Sequence, residues 1–191
     1  MLNLRPHHPR LNIFFVLDAI MTNFDDRFFD LNDNNMGDKK KLRPYGDKQM
    51  QFDKRYLKMA AIWAENSYCK RRKVGALIVK GKMIISDGYN GTPAGFENIC
   101  EDENGITKAY VLHAEANAIT KVAKSNNSSD NSTLYVTTSP CMECSKLIIQ
   151  SGIRRVVFSD KYRISDGLDL LKRAGIELIY VDLEKDEYEI Q

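Results

Sequence analysis

Histidine is scarce in this chain of 191 residues: there are three, and only His113 lies beyond residue 8. Imidazole chemistry in the body of the chain must therefore run through that one side chain. Charge of one sign is not in excess either, with 28 Lys and Arg against 26 Asp and Glu, a net charge of +2. A long nucleic-acid partner leaves a marked basic excess, so the balance points to a small molecule held by a few local cations. Long apolar runs are missing. The best candidate, Leu11 to Leu17, contains Asn12 and stops at Asp18, far short of the roughly 20 residues that cross a bilayer. Arg5 and Arg10 precede it, yet no small-residue cleavage site follows. The expectation is a cytoplasmic protein with no membrane partner. Cysteine is also sparse, at positions 69, 100, 141 and 144. Four cysteines could form two disulfides, but the length is unlike a small disulfide scaffold, and Cys141-Met-Glu-Cys144 reads better as a metal or redox pair.

What is present divides in two. Residues 22–48 are rich in Asp, Asn and Lys without a sustained period, so residues 1–50 read as a poorly ordered N-terminal extension and 51–191 as one folded domain. Apolar residues at helical spacing run from Phe52 to Cys69. Val74 to Val79 and Met83 to Tyr89 form a hairpin through Lys80-Gly81-Lys82. Helical signals cover 112–124, the stretch opened by Ser139-Pro140 up to Gln150, and 167–174. Ser139 is the expected cap of the second of these, with Pro140 at its first position. Strands are expected at 133–137, 155–158 and 176–181. A hairpin followed by α-β-α-β-α-β calls for parallel later strands with helices on both faces.

The chemistry lies in His113-Ala-Glu115 and in Pro140-Cys141-Met-Glu-Cys144. Imidazole and thiolate are the ligands zinc prefers, and three protein ligands leave a fourth position for water, as a catalytic site requires. Cys141 and Cys144 share a helix face in a first turn, where the helix dipole favours thiolate. His113 and Glu115 would diverge in mid-helix, but at a helix start both can converge beyond its end. His113, Cys141 and Cys144 are therefore the expected metal ligands; His-x-Glu with Pro-Cys-x-x-Cys resembles the motif of zinc-dependent deaminases, which implies Glu115 as the catalytic proton carrier.

The resemblance goes further. Cys69-Lys-Arg-Arg-Lys-Val-Gly-Ala-Leu-Ile, Gly88-Tyr-Asn-Gly-Thr-Pro-Ala-Gly95, His113-Ala-Glu-Ala-Asn-Ala-Ile119 and Leu134-Tyr-Val-Thr-Thr-Ser-Pro-Cys141 resemble the deoxycytidylate deaminase family from about residue 52 to 181. That resemblance implies a three-layer α/β/α cytidine deaminase-like fold around a central mixed five-stranded sheet. It also implies hydrolytic deamination of dCMP to dUMP and ammonia, in which Glu115 moves a proton from water to N3 and then to the leaving ammonia. By the same resemblance Asn90 corresponds to the asparagine that recognises the sugar, and Tyr162 to a tyrosine near the phosphate. Arg71 and Arg72 are candidates for phosphate contact because a guanidinium suits a phosphate bidentately. As residues alone, Asn90 is equally a turn residue, Tyr162 packing, and Lys70 to Lys73 a solvated charge run. The family further implies dCTP and dTTP as effectors and a homo-oligomer, specifically a hexamer. Two rivals remain open: another deaminase of the superfamily, acting on nucleosides, riboflavin intermediates or a tRNA base, and a zinc-stabilised binding module without catalysis. Some family members hold a second zinc on cysteines matching Cys69 and Cys100 with two histidines. Residues 101–112 contain no histidine, so Cys69 and Cys100 are expected as free thiols and the chain as a one-zinc protein.

Overall fold

The structure is a computed structural model that describes residues 46–191 other than 186. The expectation for the N-terminal extension lies outside the described residues up to 45. The first helix, α1, spans Asp47–Ala64, five residues before the expected start and five short of the expected end. Its early turns are built on the helix formers Lys48, Gln49 and Met50, and Gln49 donates from Nε2 to Asp53 Oδ1 one turn on at 3.0 Å. It stops where Asn66 and Ser67 turn their side chains to backbone carbonyls, those of Trp63 and Asn90, which competes with helix continuation.

Strands β1 (Gly75–Lys80) and β2 (Met83–Tyr89) form the expected hairpin. Its two-residue turn has Gly81 at φ 56° and Lys82 at φ 67°, the left-handed pair that matches the twist of the flanking strands. Helix α2 (Ala114–Ala123), β3 (Thr133–Thr138), α3 (Met142–Gln150), β4 (Arg155–Asp160), α4 (Asp166–Arg173) and β5 (Glu177–Asp182) follow in the expected order. A further strand, β6 (Glu187–Ile190), pairs antiparallel with β5, so the sheet has six strands rather than five. Its short alternation of Glu, Tyr, Glu and Ile at the chain end is too brief for periodicity to distinguish from a tail.

The sheet order is β2-β1-β3-β4-β5-β6, with β3, β4 and β5 mutually parallel and the other pairs antiparallel. Side chains alternate between faces. Ala76, Ile78, Leu134, Val136, Val156, Phe158 and Leu178 join Ala118, Ile148 and Leu171 of α2, α3 and α4 in one core. Leu77, Val79, Tyr135, Val157 and Ile179 join Leu57 and Ala60 of α1 in another. The result is the α/β/α three-layer fold expected, with one helix on one face and three on the other among the described residues. Both crossover helices, α3 and α4, share a face because right-handed crossovers between strands laid down in one direction must do so. The N-termini of α2 and α3 therefore open side by side, at the end of the sheet where β3 and β4 finish.

Candidate functional site

His113 is the N-cap of α2 and Cys141 is the N-cap of α3, both with extended backbone and neither side chain capping its own helix. Each side chain is thus released from local duty and turned beyond the helix end. The ligand atoms of His113, Cys141 and Cys144 all lie within 4.8 Å of one another. The ring Nδ1 of His113 sits 3.4 Å from both sulfurs. Ser139 is not the cap of α3 as expected. Its Oγ instead accepts the backbone N–H of Tyr162 at 2.7 Å, which pins the loop after β4, and α3 begins two residues later.

Glu115, in the first turn of α2, is buried next to this trio. Burial raises its carboxyl pKa above the usual range, against the pull of its own backbone N–H and of His113. Hydrogen bonding with Cys144, and then with His113, draws the Cys141 thiol down to about 3. Cys144 moves the other way, first because it bonds to Cys141 and then because it is buried. His113 is pushed up, chiefly by its bond to Cys141. The two thiols shift in opposite directions because each bonds to the other, so a pair of thiolates here calls for a further positive charge. Two thiols and an imidazole at tetrahedral-ligand range, at two converging positive helix ends, fit a zinc ion with one position left open.

Helix α2 is set against the sheet by polar bonds as well as by its apolar face. Asn117 Nδ2 donates to the Tyr89 carbonyl at 2.7 Å and Ser86 Oγ to the Ala118 carbonyl at 2.7 Å. Gly88 makes the approach close enough: a Cβ there would sit 2.2 Å from the Ala114 carbonyl oxygen.

A cavity of about 310 Å³ opens over the trio. His113, Glu115 and Cys141 line it, and so do all four residues expected to meet substrate, Arg71, Arg72, Asn90 and Tyr162. Cys144 lies behind, buried in α3. The amide of Asn90 holds the strap ahead of β1: Oδ1 accepts the Val74 N–H at 2.8 Å, and Nδ2 donates to the Arg72 carbonyl at 2.9 Å. One amide hydrogen and one lone pair remain for a ligand. Arg71 donates to Thr107 Oγ1 at 3.0 Å, and Arg72 reaches Thr138 Oγ1 at 3.4 Å.

Among the lining residues that were not anticipated, Glu101, Thr107, Thr138, Ser139 and Arg163 carry hydroxyl or charged groups. Arg163 follows Tyr162, so the same loop signal covers it; Thr107 carries no local signal. Cys69 and Cys100 correct the free-thiol expectation: they are joined in a disulfide, Cα to Cα 5.1 Å. The loop after β2 folds back so that Gly91 and Leu112 exchange both backbone bonds, which returns Cys100 to the start of the strap.

Residues 50–160, more than half of the chain, match the model of the cytidine and deoxycytidylate deaminase zinc-binding region. The chain belongs to this family. It is 35% identical to the deoxycytidylate deaminase of Saccharomyces cerevisiae over 159 residues, covering 75% of this chain and 51% of that protein. It is 34% identical to the deoxycytidylate deaminase of enterobacteria phage T4 over 168 residues, covering 65% of this chain and 87% of the other. A crystal structure of the dCMP deaminase of cyanophage S-TIM5 with dCMP and dUMP superposes with a TM-score of 0.67 at 47% identity, covering 69% of this chain and 97% of that one. The chain spans about half the length of the yeast relatives it matches. Among the described residues no helix is long and apolar enough to cross a membrane.

Proposed function

We propose that this protein hydrolyses dCMP to dUMP and ammonia at a single zinc ion held by His113, Cys141 and Cys144. The observation that carries the reading is the buried carboxyl of Glu115 beside a three-ligand cluster, on the floor of a cavity whose rim bears Arg71 and Arg72. The likeness to a deaminase crystallised with dCMP and dUMP supports the choice of nucleotide.

Zinc, when bound, supplies the Lewis acidity that makes a water molecule acidic near neutral pH. The rest of the work falls to side chains. Glu115 takes a proton from the water that adds to C4 of the cytosine ring and delivers it to N3. It then takes up the remaining hydroxyl proton and hands it to the departing amino group, which leaves as ammonia. Burial suits the carboxyl to this, because its raised pKa lets it accept a proton and hold it between steps. Asn90, with one N–H and one lone pair to spare, faces the sugar. Tyr162, Arg71 and Arg72 face the phosphate, where a planar guanidinium matches two oxygens at once.

The dUMP produced would feed thymidylate synthesis, and the cytoplasm is the compartment that the reading carries over from the sequence. The family resemblance extends the reading to dCTP and dTTP as effectors and to a homo-oligomer of hexamer type. The deciding experiment is steady-state kinetics on zinc-loaded protein with dCMP, CMP, deoxycytidine, cytidine and a tRNA anticodon hairpin. The reading requires dCMP to exceed deoxycytidine in kcat/KM by at least about tenfold, the scale of one charge-assisted contact realised in the transition state. Equal values would make this a nucleoside deaminase, and turnover of the hairpin alone would make it a base-editing enzyme.

A further inference from the structure

Glu101 is a buried carboxylate on the wall of a cavity that the reading above fills with a phosphate. Two like charges at close quarters repel, so a carboxylate there calls for a reason. Its bonds supply one. Oε1 accepts the backbone N–H of Lys70 at 3.0 Å and of Arg71 at 3.1 Å. These two part-buried groups belong to an irregular stretch that no strand or helix satisfies, so their partner has to come from a side chain.

The rest of the neighbourhood closes the same loop. Cys100, adjacent to Glu101, is joined to Cys69, adjacent to Lys70. Glu101 pairs with Thr107 in an isolated antiparallel bridge, and Thr107 Oγ1 accepts from the Arg71 guanidinium at 3.0 Å. From the opposite side Asn90 grips Arg72 and Val74. The strap of residues 69–74 is thus tied at one end by a carboxylate and a disulfide and at the other by an amide. Arg71 and Arg72 sit between the ties.

We propose that Glu101 is a positioning residue that presets Arg71 and Arg72 for the phosphate, and so sets the preference for a nucleoside monophosphate over a nucleoside. This rests on the phosphate reading of the two arginines given above. Arginine side chains are rich in rotamers, and fixing their backbone before the ligand arrives removes part of the ordering cost of binding. The bonds and bridge of Glu101 run to Lys70, Arg71 and Thr107 and not to His113, Glu115, Cys141 or Cys144, so the chemical step does not depend on it.

The test measures kcat and KM for dCMP and for deoxycytidine with full-length, zinc-loaded wild type and Glu101→Ala, Glu101→Gln, Arg71→Ala and Arg72→Ala. In Glu101→Ala, kcat/KM for dCMP falls by about tenfold or more, the scale of two lost bonds to a charged acceptor, and the loss lies in KM. The value for deoxycytidine stays within about twofold, since that substrate has no phosphate for the strap to hold. Glu101→Gln falls less, because its amide oxygen still accepts both N–H groups; it carries the same readings if the alanine variant does not fold. Equal losses on both substrates, or none on either, overturn the role of Glu101. Should the arginine variants lose the preference while both Glu101 variants keep it, the positioning role alone is overturned. Should wild type or the arginine variants show that no preference depends on Arg71 and Arg72, the phosphate reading itself falls and this proposal with it.

Discussion

Arg155, at the start of β4, grips Asp53 of α1 with both ends of its guanidinium, Nη1 to Oδ1 at 3.0 Å and Nη2 to Oδ2 at 2.8 Å. Asp53 is fully buried, and its Oδ1 also accepts the Tyr135 hydroxyl at 2.6 Å. Together these bonds fasten α1 to β3 and β4. Removing Asp53 breaks this buried pair but leaves Arg155 its outer partner Glu177, Nε to Oε2 at 3.2 Å, so the cost is up to about 3–5 kcal/mol. Asp53→Ala is therefore expected to lower the unfolding free energy from urea titration on that scale, and Asp53→Ala with Arg155→Met to recover part of it. A single-variant loss under about 1 kcal/mol would show that the pair contributes little.

Glu115→Gln retains the size of the side chain and the packing of α2 but cannot carry a proton. Turnover of dCMP is expected to fall by about 100-fold or more, with zinc content and melting temperature near wild type. Retained activity would remove Glu115 from the proton path.

Gly75 and Gly88 offer a paired test of what holds the site. A Cβ on Gly75 would sit 1.9 Å from the Ala60 carbonyl oxygen on α1, and one on Gly88 2.2 Å from the Ala114 carbonyl oxygen on α2. Neither backbone can yield cheaply, so each alanine variant loses about 1–3 kcal/mol or more. Only Gly88→Ala displaces the turn that carries His113 and Glu115. It alone is expected to weaken zinc retention in a competition titration against a chelator; equal weakening in both would mean the site follows global stability.

The thiols can be counted. Two free cysteines and one disulfide predict that chelated, denatured protein shows two reactive thiols without reductant and four with it. In native, chelated protein at pH 7, Cys141 is half-buried with a thiol drawn down to about 3, whereas Cys144 is buried and keeps its proton. Iodoacetamide followed by peptide mass spectrometry should label Cys141 first, since thiolate is the nucleophile. Added zinc should protect it. Preferential labelling of Cys144 would contradict the proton placement.

Much of the fold could be read in advance because the signals are local. The unbroken apolar runs Ala76-Leu-Ile-Val79 and Val156-Val-Phe158 report strands buried on both faces whatever packs on them. Lys80-Gly81-Lys82 marks a hairpin turn by its own backbone preference. The reading of Ser139 as a helix cap failed for a non-local reason: Ser-Pro ahead of an apolar helix is a sound start signal, but the Tyr162 N–H from a different crossover claimed the hydroxyl. The helix then took Cys141 as its N-cap.

The ligand motif was determined by the sequence itself, since zinc chemistry requires particular donors and a helix start converts short spacings such as His113-x-Glu115 and Cys141-x-x-Cys144 into convergent atoms. Only the tertiary structure decided what surrounds it. Glu101 to Arg71, Arg72 to Thr138 and Cys69 to Cys100 join positions 30, 66 and 31 residues apart. Such pairs leave no periodic trace, because the order of strands and the path of a loop set them, not the neighbours along the chain.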